Sequence, residues 1–203
     1  RTVREVGMGS FVVVGGESNR VAVWDVSRLS ESTPLLLGHL DNGAACYNLA
    51  ENPAMPHLVY AALQSGTVSI WDVHNMKHQA AIAAHTGAVT AVRASLDGRH
   101  LLTAGLDGRV CVWDLGTRKC VASYAFPAAV LCMALSAGDS WLALGLENHH
   151  VVALNTNNPA VQYIMHLHEA PVLTVSYSRS CRWLLSGARD RTAAAWRSPL
   201  GDR

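Results

Sequence analysis

Residues 85–114 read HTGAVTAVRASLDGRHLLTAGLDGRVCVWD. The stretch AVTAVRA (88–94) alternates apolar and polar residues, the period of a half-buried strand. LDG at 96–98 and again at 106–108 marks two turns, because Asp and Gly tolerate the left-handed backbone a tight reversal needs. Between them HLLTAG (100–105) is a second strand, and RVCVWD (109–114) a third. KCVASYA (119–125) completes the unit as its fourth and outermost strand. The spacing therefore predicts a four-stranded antiparallel meander of about forty residues, with no helix longer than a turn or two.

The Trp-Asp ending recurs. VAVWD ends at Asp25, VSIWD at Asp72 and VCVWD at Asp114, while VVALN (151–155) and AAAWR (193–197) hold the same place with altered letters. From Trp24 through Trp71, Trp113 and Leu154 to Trp196 the steps are 47, 42, 41 and 42 residues. That period, with four strands per unit, is the signature of a WD40 propeller blade. The expected fold is all-β: a WD40 β-propeller of four-stranded antiparallel blades, about five of the seven usual in such rings. One propeller domain is expected over residues 1–203, with units ending near 25, 72, 114, 155 and 197. The first unit starts near its inner strand and the last stops after its third. The sequence therefore reads as an excised piece or shortened variant of a ring. Inner strands are expected at ACYNLA (45–50), VLCMALS (130–136) and VLTVSYS (172–178). Second strands are expected at FVVVGG (11–16), LVYAAL (58–63), WLALGL (141–146) and WLLSGA (183–188).

Two units carry a fuller polar set: His85, Thr103, Asp107 and Trp113 in one, His168, Ser186, Asp190 and Trp196 in the other. A buried Trp brings a large apolar area and one N–H that needs an acceptor. A carboxylate at the preceding turn is costly to bury unless a partner such as His meets it. These places resemble the hydrogen-bonded tetrad of WD40 blades. The same His168, Ser186 and Asp190 invite reading as a catalytic triad. That reading fails because the set repeats with Thr in place of Ser and no G-x-S-x-G elbow is present. The remaining units have Ser18, Ser65 and Asn148 at the turn, and Val14, Ala61 and Ala143 at the hydroxyl position. They are expected to be held more by apolar packing.

Composition excludes several function classes. Lys and Arg number 16 against 15 Asp and Glu, so no basic footprint points to nucleic acid or a membrane surface. No apolar run is long enough to span a bilayer as a helix. The five cysteines (Cys46, Cys111, Cys120, Cys132 and Cys181) contain no C-x-x-C pair and are expected to be reduced, mostly buried thiols of an intracellular protein. His149 and His150 lie beside Glu147 at a turn, and Arg189 and Arg191 flank Asp190; both pairs are expected on solvated faces. No metal, cofactor or small-molecule substrate is expected, and no enzymatic activity.

Longer strings carry a closer likeness. WLALGLENHHVVALNTNNPAVQYIMHLHEAPVL (141–173), TAGLDGRVCVWDL, VVGGESNRVAVWDV and ACYNLA together resemble the C-terminal propeller of the Groucho/transducin-like enhancer-of-split corepressors. The unit with Leu-Asn in place of Trp-Asp falls where that family also loses its Trp-Asp, and the HLHE after it matches too. The resemblance implies a non-enzymatic interaction platform. In that family the mouth of the central channel binds C-terminal Trp-Arg-Pro-Trp motifs or a short Phe-containing helix of transcription factors. By position, the implied peptide-binding residues are Arg1, Glu17, Leu131 and Leu173, with Leu131 standing where the family has a pore Phe. The family's pore Tyr and Lys have no counterpart in this sequence. The implied partners are proteins, and the implied location is nuclear. The alternative is that of a divergent branch of the family: a scaffold in a maternal cytoplasmic complex of egg and early embryo, working through the propeller rim or faces.

Overall fold

The computed structural model describes residues 2–7, 9–27 and 33–198. Nineteen strands and no helix occur among the described residues. The first sheet holds β1 (Thr2–Val6), β2 (Phe11–Gly15), β3 (Arg20–Asp25) and β4 (Leu35–Asp41) in sequence order. The second holds β5 (Cys46–Asn52), β6 (Met55–Leu63), β7 (Thr67–Asp72) and β8 (Lys77–Ala83). The third runs β9 (Val89–Ala94), β10 (His100–Gly105), β11 (Arg109–Asp114) and β12 (Lys119–Ala125). The fourth runs β13 (Val130–Leu135), β14 (Trp141–Leu146), β15 (Val151–Asn155) and β16 (Gln162–Met165). The fifth has three strands among the described residues: β17 (Val172–Tyr177), β18 (Trp183–Ala188) and β19 (Ala193–Arg197). The paired strands are antiparallel, which is the topology of WD40 propeller blades.

The chain falls into two compact units. One comprises Arg1–Gly105 with Cys111–Ser123; the other comprises Leu106–Val110 with Tyr124–Arg203. Within the first unit β1 packs beside β5 and β5 beside β9, so the first strand of each sheet is the inner one. Within the second, β13 packs beside β17 in the same way.

The core lies between sheets. Along β6, Val59, Ala61 and Leu63 join Val13, Val21, Val23 and Leu40 of the first sheet. The alternate residues Tyr60 and Ala62 join Val89, Val92, Leu101 and Trp113 of the third. A two-residue period thus feeds two cores from one strand, which explains why VYAAL reads as an unbroken apolar run. In the second unit Ala143, Val151, Val172 and Leu184 form the corresponding layer.

Two expectations are corrected. Strand β6 begins at Met55, not near Leu58. The cause is Asn52, whose buried Oδ1 accepts the Ala54 and Met55 N–H groups (2.9 and 3.2 Å) and tightens the turn, so that Asn52 already pairs with Met55. Its Nδ2 donates to the Tyr60 hydroxyl at 2.9 Å and to the Gly98 carbonyl of the third sheet at 3.2 Å. The cysteines, expected to be mostly buried, are so only at Cys46 and Cys111; Cys120 is exposed, and Cys132 and Cys181 are intermediate. Burial pushes the Cys46 thiol up to about 12, and its Sγ donates to the Asn48 carbonyl at 3.4 Å. With an aromatic disulfide reagent at pH 8, mass spectrometry of the native protein should find Cys120 modified first. Cys46 should be modified only on unfolding, because both its thiolate fraction and its access are low. Equal early labelling of both would contradict the placement.

Candidate functional site

In the third sheet His85 Nε2 lies 2.8 Å from Thr103 Oγ1, and the Trp113 indole donates to the same oxygen at 3.0 Å. Thr103 is fully buried on β10 and Trp113 lies nearly buried on β11, so one hydroxyl meets both neighbours where water is excluded. Asp107 occupies the turn before β11, where its Oδ1 accepts the Arg109 N–H at 3.1 Å.

The fifth sheet repeats the device. His168 Nε2 lies 2.7 Å from Ser186 Oγ, and Trp196 donates its indole N–H to that oxygen at 2.9 Å. His168 Nδ1 faces Asp190 Oδ2 at 3.3 Å and Thr192 Oγ1 at 2.9 Å. A carboxylate only accepts, so Nδ1 carries the proton and Nε2 takes that of Ser186. The Thr192 side chain and N–H, the Glu169 N–H and His168 hold the Asp190 carboxyl well below the usual carboxylate range, against the opposing effect of burial. The stability it brings is therefore present above the ordinary carboxylate range and is lost as pH falls through its lowered value. The Ser–His–Asp distances would suit acyl transfer. Ser186, however, is only 3% exposed and its oxygen already receives the indole, so the group works as a buried clamp.

The degenerate sheets solve the problem differently. In the second, Ala61 has no hydroxyl, and the sheet was expected to be held more by apolar packing. Instead the Trp71 indole donates to Asn42 Oδ1 at 2.7 Å. Asn42 stands at the column of His85, four residues before the inner strand begins, so sequence alignment of the repeats would have found it. In the fourth, Phe126, Ala143 and Leu154 replace His, hydroxyl and Trp together. With every partner gone, Asn148 at the turn keeps a buried Oδ1 that has no hydrogen bond among the described residues.

The residues implied for peptide binding are placed as follows. Arg1 lies outside the described residues. Glu17 is exposed in the turn between β2 and β3, on a cavity of ≈ 530 Å³ that Arg20 and His39 also line. Leu131 and Leu173 share a structural origin in the second unit. The register of β13 against β14 shifts between Val130 and Cys132, and that of β17 against β18 between Val172 and Thr174. Each leucine is thus the extra residue of a bulge, a device that re-aims a side chain at a strand end. Leu173 is 55% exposed, and Leu131 is half-buried.

Sequence reasoning missed the equivalents in the first unit. The same shift occurs between Cys46 and Asn48 in β5, which makes Tyr47 the extra residue, and Tyr47 is 39% exposed. In β9 the pairing skips Thr90, whose hydroxyl turns back to the Ala104 carbonyl at 3.1 Å. The signal was available: Tyr47, Thr90, Leu131 and Leu173 fall in one column when the inner strands are aligned.

Comparison with known proteins places this geometry. The WD domain, G-beta repeat family model matches residues 76–114 and 160–197, which run from β8 through β11 and from β16 through β19. Protein groucho of Drosophila melanogaster is 32% identical over 202 residues, 99% of this chain and 27% of that protein. Transcription factor unc-37 of Caenorhabditis elegans is 33% identical over 193 residues, 95% of this chain and 31% of that protein. The chain thus spans less than a third of the length of either relative. Its WD repeats, and an identity of 32–33% sustained along nearly its whole length, support a divergent member of the Groucho/transducin-like enhancer-of-split family.

Proposed function

We propose that the protein is a non-enzymatic interaction platform of the transcriptional corepressor kind, acting in the nucleus. It captures short peptide motifs of transcription factors at the inner-strand ends of its blades. One observation carries this reading: the bulges that begin β5, β9, β13 and β17 set one residue each, Tyr47, Thr90, Leu131 and Leu173, at equivalent places. Tyr47 in the first unit and Leu173 in the second are each large and substantially exposed, and either side chain suits contact with a Trp or Phe anchor. Arg1 and Glu17 are assigned to orienting the peptide by charge. No cofactor, metal or nucleic acid takes part in this reading.

Fluorescence anisotropy with a labelled Trp-Arg-Pro-Trp peptide tests it. Saturable binding is expected, weakened about ten-fold or more by Leu173→Ser and by Tyr47→Ala, since buried anchors carry most of an interface's energy. Absence of saturable binding, or indifference to both substitutions and to Glu17→Ala, would refute it.

A second reading has its own observation. The outer strands carry exposed apolar side chains, Leu35 and Leu36 on β4, Val121 on β12, Tyr163 and Ile164 on β16. Exposed apolar groups at an edge are suited to protein contacts, which favours a scaffold that works through the rim, the role the cytoplasmic alternative requires. Partner capture lost on Tyr163→Ser with Ile164→Ser, and kept on Leu173→Ser, would select this reading over the first.

A further inference from the structure

We propose that a charged cleft toward the other end of the inner strands in the first unit is a separate docking site for a peptide segment that carries an acidic and a basic side chain close together. Arg4 and Glu5 of β1, Glu51 of β5 and Arg93 of β9 line this cavity of ≈ 310 Å³, with Ala50 and Ala94 in its walls. Glu51 lies four residues beyond Tyr47 on the same strand, roughly 13 Å away at the rise of a β-strand. The cleft is therefore distinct from the bulge positions.

Both cations donate to neutral oxygens beside the cleft. Arg4 Nε donates to the Leu49 carbonyl at 2.9 Å. Arg93 Nη1 donates to Asn48 Oδ1 and to its neighbour's carbonyl, Val92 O, both at 2.7 Å. Asn48 Oδ1 also accepts the Val92 N–H at 3.4 Å, which ties β5 to β9 at the cleft. A guanidinium anchored through Nε retains the paired terminal nitrogens that suit a carboxylate, and its ordering cost is already met by the fold. On the anionic side, burial raises the Glu51 carboxyl above its usual range, with Arg4 opposing the rise and Glu5 adding to it. A cationic group brought in by a ligand offsets the cost of holding that carboxylate partly buried. Two charges of each sign across three strands set the specificity. A segment of mixed charge meets partners at both ends, whereas one of a single sign meets repulsion from half the cleft.

The test uses the 203-residue chain and fluorescein-labelled hexapeptides at low ionic strength: alternating Glu and Lys, all Glu, and all Lys. The alternating peptide is expected to bind saturably and at least about ten-fold more tightly than either single-sign peptide. Arg93→Ala and Glu51→Gln should each weaken it about ten-fold, the scale of a lost charged hydrogen bond. Leu173→Ser should leave its affinity unchanged, which separates this site from the proposed mouth. Circular dichroism and thermal melting verify that the variants fold. If Arg93→Ala does not, Arg4→Lys keeps the charge, loses the fork, and should weaken binding several-fold. The proposal is overturned by lack of saturation with the alternating peptide, by equal binding of a single-sign peptide, or by unchanged affinity in the folded variants. In those cases the four charges serve only to neutralise one another.

Discussion

Thr103→Val should destabilise the protein by about 3 kcal/mol, although it exchanges a hydroxyl for a methyl of nearly the same size. The position is fully buried in the middle of β10, and valine suits a buried strand, so neither packing nor backbone preference argues for a loss. The loss comes from what the oxygen holds. His85 Nε2 at 2.8 Å and the Trp113 indole N–H at 3.0 Å share it, and Trp113 is too deeply placed to find water instead. Each buried polar group left without a partner costs about 1–3 kcal/mol, more than a single exposed hydrogen bond contributes. In a chain of this size that corresponds to a fall in melting temperature of roughly 6–12 °C. Thr103→Ser, which keeps the oxygen and drops a methyl, should cost only about 1 kcal/mol. Adding Trp113→Phe to Thr103→Val removes one orphaned donor, so the two changes should be less than additive. Urea denaturation followed by tryptophan fluorescence measures all three, and a Thr103→Val variant within about 0.5 kcal/mol of the parent would show that the hydroxyl is incidental.

The same chemistry explains how much could be read from the letters. WLALGL and HLLTAG were legible to the residue as β14 and β10, because turn residues bound each: Asp-Gly on both sides of β10, and Gly138-Asp139 before β14 with Asn148 after it. The start of β6 was not, because the turn that sets it rests on an asparagine side chain, and Asn52 looks like any polar loop residue until its partners are known. The sets at His85 and His168 were legible because four residue types recurred at fixed offsets. The Asn42 substitute in the second sheet was not, because an amide at the histidine's place takes the indole directly, whereas in the intact sets a hydroxyl held by the histidine takes it. On the candidate binding surface, Leu131 and Leu173 came from family likeness, whereas Tyr47 and Thr90 came from the bulge register. Alternation of apolar and polar residues predicts which face a side chain occupies. A bulge breaks that alternation by one residue, so a pattern argument goes blind at the place where side chains are redirected.

Gly66→Ala should be as damaging as the loss of the Thr103 hydroxyl, about 3 kcal/mol, for a reason that lies in the backbone. Gly66 sits in the turn between β6 and β7 with φ of 85°, a conformation that L side chains rarely adopt. A methyl there has no room either: it would meet the His85 carbonyl oxygen, and the Gly87 carbonyl at 3.0 Å. Both obstacles are main chain and cannot rotate away. The tight approach has a purpose, because the Gly66 carbonyl accepts the Ala84 and His85 N–H groups, each at 3.0 Å, at the segment that leads into the third sheet. Asn19 and Gly108 do likewise for Asn42 and Phe126, so the turn of one sheet steers the entry of the next. Displacing His85 in this way also pulls its imidazole from Thr103. Gly66→Ala should therefore speed hydrogen exchange at the Ala84 and His85 amides by at least about ten-fold, a local effect beyond the global loss. Combined with Thr103→Val it should cost less than the two separately, since each already frees the same histidine. Gly138→Ala, where an added methyl meets nothing within 4 Å, is the control and should stay within about 0.5 kcal/mol of the parent. Full additivity of Gly66→Ala with Thr103→Val would mean that the turn and the tetrad are independent, and that the histidine is held from one side only.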